Sequence, residues 1–174
     1  MLRRDWTKDY REAVGADGQK RYVYIGKRYE LPRESRRMYQ NRVMPVLAAL
    51  LAAQAVWGLI DTPASRVLYV ALPWAAISFS AALAFFDAAR ILLVRRALTA
   101  RGYVSSALRL KRMLLITLSL TALQLVMNLI YLVLKGFPGA DHPFFIIHLM
   151  ALGLSILAWR LEKQAIWNTL PPAA

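Results

Sequence analysis

Cysteine is absent from the 174 residues, which rules out disulfide staples, thiolate nucleophiles, cysteine metal sites and membrane redox enzymes that work through cysteine pairs. Histidine is nearly absent: His142 and His148 are the only two, too few for a metal site without carboxylates beside them. Acids are scarce, 10 against 23 Lys and Arg. No paired carboxylate, phosphate-binding glycine loop, HExxH pair or GxSxG elbow occurs. An enzyme is therefore the least supported reading, and neither a catalytic residue nor a cofactor is expected. Repeats and low-complexity tracts are missing too. A cleavable signal would place its apolar core near the amino terminus, but here 42 mostly polar residues come first, so the first apolar run is expected to stay in the protein.

What the chain has in excess is apolar surface. Hydrophobic residues make up 58% and mean hydropathy is +0.38, against roughly 45 to 50% in ordinary globular domains. Four runs are long enough to cross a bilayer, at about 43–60, 66–88, 113–135 and 143–161. The reading is an all-α membrane protein, an antiparallel four-helix transmembrane bundle over 43–167 followed by a short tail, 168–174. In the first run Pro45 sits in the opening turn and Ala48, Ala52 and Ala55 give a small-residue face. In the second, Pro73 is expected to kink the helix.

The cations are segregated. Lys and Arg number 12 before the first run, 1 between the first and second, 7 between the second and third, 1 between the third and fourth, and 2 after the last. The positive-inside rule then puts both termini in the cytoplasm and the protein in the plasma (inner) membrane. A charge of +13 also raises nucleic acid as a partner, but the cations lie between apolar spans rather than along a soluble face, and nucleic acid is set aside. Anionic headgroups at the inner face are the natural counterpart.

Residues 1–42 are aqueous, basic and rich in tyrosine. Gly26-Lys27 between Tyr22-Val23-Tyr24-Ile25 and Arg28-Tyr29-Glu30-Leu31 suits a two-residue type II′ hairpin that sets Tyr24 opposite Tyr29, and Asp17-Gly18 is a second turn signal. A small hairpin or meander is expected. Tyr22, Tyr24 and Tyr29, with Arg95, Arg96, Arg109, Lys111 and Arg112 from the inner hairpin, form the candidate face for a partner or for lipid. Stacking among the tyrosines, or burial at headgroup level, is the plainer reading.

The third run, Met113 to Lys135, organises the rest. Thr117, Thr121, Gln124, Asn128, Tyr131 and Lys135 follow one another at steps of 4, 3, 4, 3 and 4, a single polar seam on a helix. Amides in hydrocarbon need partners, so neighbouring helices are expected to cover them. The fourth run carries a matching stripe, His148, Ala151, Ser155, Ala158 and Glu162. Antiparallel pairing about the Gly136–Ala140 turn, with residue numbers summing to 279, sets Tyr131 beside His148, Gln124 beside Ser155 and Thr117 beside Glu162. Gln124, Asn128, Tyr131, His148 and Ser155 are the candidate intramembrane polar site, although interhelical hydrogen bonding uses the same residue types. Asp87, the sole acid inside a span, falls near the inner boundary, where Arg90 one turn on is the expected ion-pair partner.

Two functions follow. The first is a non-catalytic accessory or regulatory membrane subunit that binds a protein partner through its basic cytosolic face. The alternative is a small transporter or channel for an ion or solute, working as a homo-oligomer, with the seam lining its path. Ionisable groups inside the spans are few, which favours the first.

Overall fold

A computed structural model describes residues 9–14, 19–94, 97–136 and 142–171. The expected turn at Asp17-Gly18, Arg95, Arg96 and the connection beyond Gly136 fall outside these residues. Four long helices follow the four apolar runs: α1 (Arg33–Leu59), α2 (Leu68–Leu93), α3 (Ala100–Lys135) and α4 (His142–Lys163). They pack antiparallel in a ring, each against the next in sequence and α4 back against α1. Leu72, Phe79, Phe86 and Leu93 of α2 are 59, 68, 67 and 80% exposed. Side chains of that kind on the outside of a bundle belong in lipid, and the chain is a polytopic membrane protein.

All four helices exceed their apolar runs at the end that carries both described chain ends, here the basic end, α4 by only two residues. α1 starts ten residues before Val43, at Arg33, and passes through a π-helical turn, Tyr39–Val43, closed by the Met44 amide on Tyr39 O. Pro45 follows directly and has no amide to give, so the wider turn falls where the regular ladder already fails. α2 runs unbroken through Pro73 to Leu93. α3 has its own π turn, Val104–Leu108, in which the Ser106 hydroxyl donates to Gly102 O. At the far end Gly136, with φ 76°, closes α3 in the left-handed conformation that glycine adopts freely. There Asp61 pairs with Arg66 at 2.7 Å, and the guanidinium, chiefly by its hydrogen bond, holds the exposed carboxyl below the usual carboxylate range.

The core is layered along the bundle. Tyr39, Val43, Leu47, Ala84, Ala88, Leu110, Leu114 and Ala158 fill the basic end, and Trp57, Val70, Tyr131, Leu132 and Phe144 the other. Ala81 on α2 and Ala151 on α4 meet Leu50 of α1 between them, small residues letting the helices close up as bundles do where the solvent is itself apolar. The expected small-residue face of α1, Ala48, Ala52 and Ala55, is instead exposed.

The strands sit at the basic end and include a small hairpin as expected, although not the one expected at Gly26-Lys27. β1 (Tyr10–Val14) pairs with β2 (Lys20–Tyr24), with Tyr10 opposite Tyr24. β3 (Arg28–Glu30) leaves β2 and joins β4 (Leu98–Thr99) on one side and β5 (Asn168–Leu170) on the other, all antiparallel. Tyr29 therefore lies opposite Leu98 and Thr169, not Tyr24. The Gly26-Lys27 corner is a crossover between two sheets, because Tyr24 folds into it: its hydroxyl donates to Lys27 O at 2.9 Å and accepts the Ala100 amide at 2.9 Å. A Cβ on Gly26 would stand 2.5 Å from that hydroxyl oxygen, so the corner needs a glycine for room.

Candidate functional site

Two regions gather the groups with chemistry: the polar seam inside the bundle and the cap at the basic end. In the seam Thr117, Thr121, Gln124, Asn128 and Tyr131 are all buried, as are His148 and Ser155 on α4. Gln124 turns to α2, donating from Nε2 to Val70 O at 2.8 Å. Val70 is the neighbour of Tyr69, whose carbonyl is the one that Pro73, four positions on, leaves without a helical donor. Thr117 meets Ser80 of α2, hydroxyl to hydroxyl, at 2.9 Å. Thr121 meets Ser155 of α4 at 3.5 Å.

The α3–α4 register thus corrects the expected one. The observed pair sums to 276, one helical turn away from 279, and Gln124 faces α2 instead of Ser155. A sum of 276 brings only His148 and Ser155 of the α4 stripe opposite seam positions, Asn128 and Thr121, so the complete stripe match at 279 is not what sets the register. Ser155 also back-bonds Ala151 O at 2.8 Å, as hydroxyls inside helices do.

His148 occupies an aromatic corner. Its ring lies edge-on to Trp57 at 5.5 Å and tilted to Phe144 at 4.9 Å, while Trp57 stacks on Trp74 at 4.8 Å. Nδ1 is 2.8 Å from Phe144 O and 3.2 Å from Trp57 Nε1. A single nitrogen serves one of these at a time, donating to the carbonyl or accepting from the indole. Either way the imidazole is tied inside the bundle. Asn128 differs from the rest of the seam: it is 2% exposed, and neither its Oδ1 nor its Nδ2 has a hydrogen-bond partner. Gln124 Oε1 and Gln54 Oε1 are also buried without one.

Towards the basic end the ion pair expected between Asp87 and Arg90 is made with Arg109 of α3 instead. Arg109 Nε donates to Asp87 Oδ2 at 2.7 Å and the terminal nitrogen takes the other oxygen. Asp87 points into the bundle at 1% side-chain exposure, whereas Arg90 is exposed on the outer side of the same helix. A partner across the interface gives the buried carboxylate a bidentate fork, which the exposed neighbour one turn away does not reach.

The acid of the fourth stripe, expected beside Thr117, has a different partner. Glu162 is 1% exposed and accepts a hydrogen bond from the Tyr39 hydroxyl, projected across by the π turn of α1, while its Oε1 is unpartnered. Lys111 supplies an opposing charge. The available signal was an acid on the buried stripe of the fourth span; the tyrosine partner, 123 positions earlier, had none.

The cap collects the tyrosines unequally. Tyr24 is buried, Tyr29 stacks on Tyr103 at 4.2 Å, and Tyr103 meets Trp167 edge-on at 5.1 Å. Tyr22 stays out, 75% exposed, with Tyr10 at 45% and Val23 at 42%. Arg36 donates to Leu92 O and, at 3.0 Å, to Val94 O, capping the end of α2. Lys111 is half-buried and Arg112 exposed. The chain matches no family model, no curated protein and no solved structure.

Proposed function

We propose that this polytopic membrane protein is a non-catalytic accessory subunit of the plasma (inner) membrane. Both termini lie in the cytoplasm, and a protein partner docks on the cap. The observation that carries the reading is the β1–β2 hairpin. Its two strands pair only with each other among the described strands, so both outer edges offer unpaired backbone, and Tyr10, Tyr22 and Val23 project from it into water. Exposed strand edges bearing aromatics are what strand-addition partners use. The tightly knit sheet and aromatic stack beneath give the hairpin a firm base.

A photo-crosslinking residue in place of Tyr22 tests this in cells. One discrete protein adduct is expected, lost when Lys20→Pro removes an outward-facing backbone donor from β2. The Asn128 amide, buried and unpaired, favours the second reading, an oligomeric path for a small solute. Solute flux by the purified protein in liposomes, abolished by Asn128→Leu, with no adduct at Tyr22, would replace the first reading by the second.

A further inference from the structure

We infer that the basic end of the α2–α3 pair holds the headgroup phosphate of one anionic phospholipid between Arg90 and Arg101. Where the last turns of α2 meet the start of α3, a cavity of about 380 Å3 is lined by Arg90, Thr99, Arg101, Gly102 and Ser105. Its two arginines are in none of the ion pairs among the described residues. The acid nearest in sequence, Asp87, gives both oxygens to Arg109, so the charge of Arg90 is left for a ligand. Thr99 adds a donor: its Oγ accepts the Gly102 amide at 3.1 Å, which leaves the hydroxyl proton for a group in the cavity. Two guanidinium forks and a hydroxyl around one space suit a phosphodiester, whose oxygens point in several directions.

The position of Arg90 selects a lipid over a free anion. On α2 the exposed residues Leu72, Phe79, Phe86 and Leu93 recur every seventh position and mark the side that meets acyl chains. Arg90 stands on that same side, four residues after Phe86 and three before Leu93. An anion bound there has hydrocarbon-seeking surface directly beneath it. A phospholipid fills both parts, phosphate in the cavity and glycerol and chains along Phe86, while inorganic phosphate uses only the first.

Native mass spectrometry of the full chain in mild detergent, titrated with phosphatidylglycerol, phosphatidylcholine or inorganic phosphate, tests the site. One phosphatidylglycerol per chain is expected to be retained, with phosphatidylcholine held more weakly and millimolar inorganic phosphate failing to displace it. Arg90→Ala with Arg101→Ala should weaken phosphatidylglycerol about thirtyfold, the equivalent of about 1 kcal/mol for each arginine. Arg37→Ala with Arg42→Ala, two cations lining a different cavity at the same end, should leave it unchanged. Wild-type binding by the first double variant, equal loss in the second, or displacement by phosphate overturns the assignment. Should the first variant not fold, the unmodified chain answers: phosphatidylglycerol with a diazirine near its glycerol should label peptides holding Phe86 and Leu93. Labelling spread evenly over the four helices also overturns it.

Discussion

Arg109 of α3 closes on both carboxylate oxygens of Asp87 across the α2–α3 interface, so that the one acid within the second span is neutralised from the neighbouring helix. Removing the cation strands a buried charge, so Arg109→Ala should lower unfolding free energy by about 3 kcal/mol, the low end for a broken buried pair because Arg109 itself is half exposed. Asp87→Asn in the Arg109→Ala background should recover part of the loss, and Arg90→Ala alone should leave stability unchanged. Thermal denaturation in detergent measures all three; equal damage from Arg90→Ala would contradict the pairing.

Tyr39 and Glu162 make the second cross-bundle link. Tyr39→Phe takes the donor from a buried carboxylate and should cost about 1 to 3 kcal/mol. Glu162→Leu, which removes the acceptor, should then make Tyr39→Phe nearly neutral, because the two changes act on one bond and are not additive. A double-mutant cycle gives the coupling directly, and additive effects would dissolve the link.

Gln124 and Asn128 sit one turn apart on the same seam yet should respond oppositely. Gln124→Leu gives up the bond to Val70 O and should cost about 0.6 kcal/mol, at most about 1.7. Asn128→Leu removes a buried amide with no protein partner and should leave stability equal or higher. A destabilised Asn128→Leu would mean that the amide is satisfied by a bound water or solute.

The register separates by cross-linking in this cysteine-free chain. Thr121→Cys with Ser155→Cys should form an intrachain disulfide readily, since the hydroxyls they replace are 3.5 Å apart. Gln124→Cys with Ser155→Cys should form one slowly. Reversed rates would restore the 279 register.

The helices and the seam were legible in the sequence because both are periodic and local: apolar length marks a span, and steps of 3 and 4 mark its buried side. The seam's partners were not, because a polar stripe marks the buried side of its helix without naming the helix or the level that it meets. Asp87 illustrates the limit. The local rule offered Arg90, three positions away, while the chosen partner stands 22 positions on, across a helical hairpin. The tyrosines illustrate it again. Gly26-Lys27 has the composition of a hairpin, but Tyr29 found its neighbours, Leu98 and Thr169, on segments that the two long helical hairpins bring back to the same end.

That placement of β3 also orders events in time. The strand leaves the ribosome early, yet its first edge partner, β4, follows only after two helices, and its second, β5, only after all four. Closing such long loops is slow, and the entropy of closure falls due before the new contacts offset it. The sheet is therefore a latch that shuts after the last helix is inserted. Until then Tyr29 and its neighbours stay open to chaperones or to proteolysis, and a chain whose fourth helix fails to insert is left visibly unfinished at its basic end.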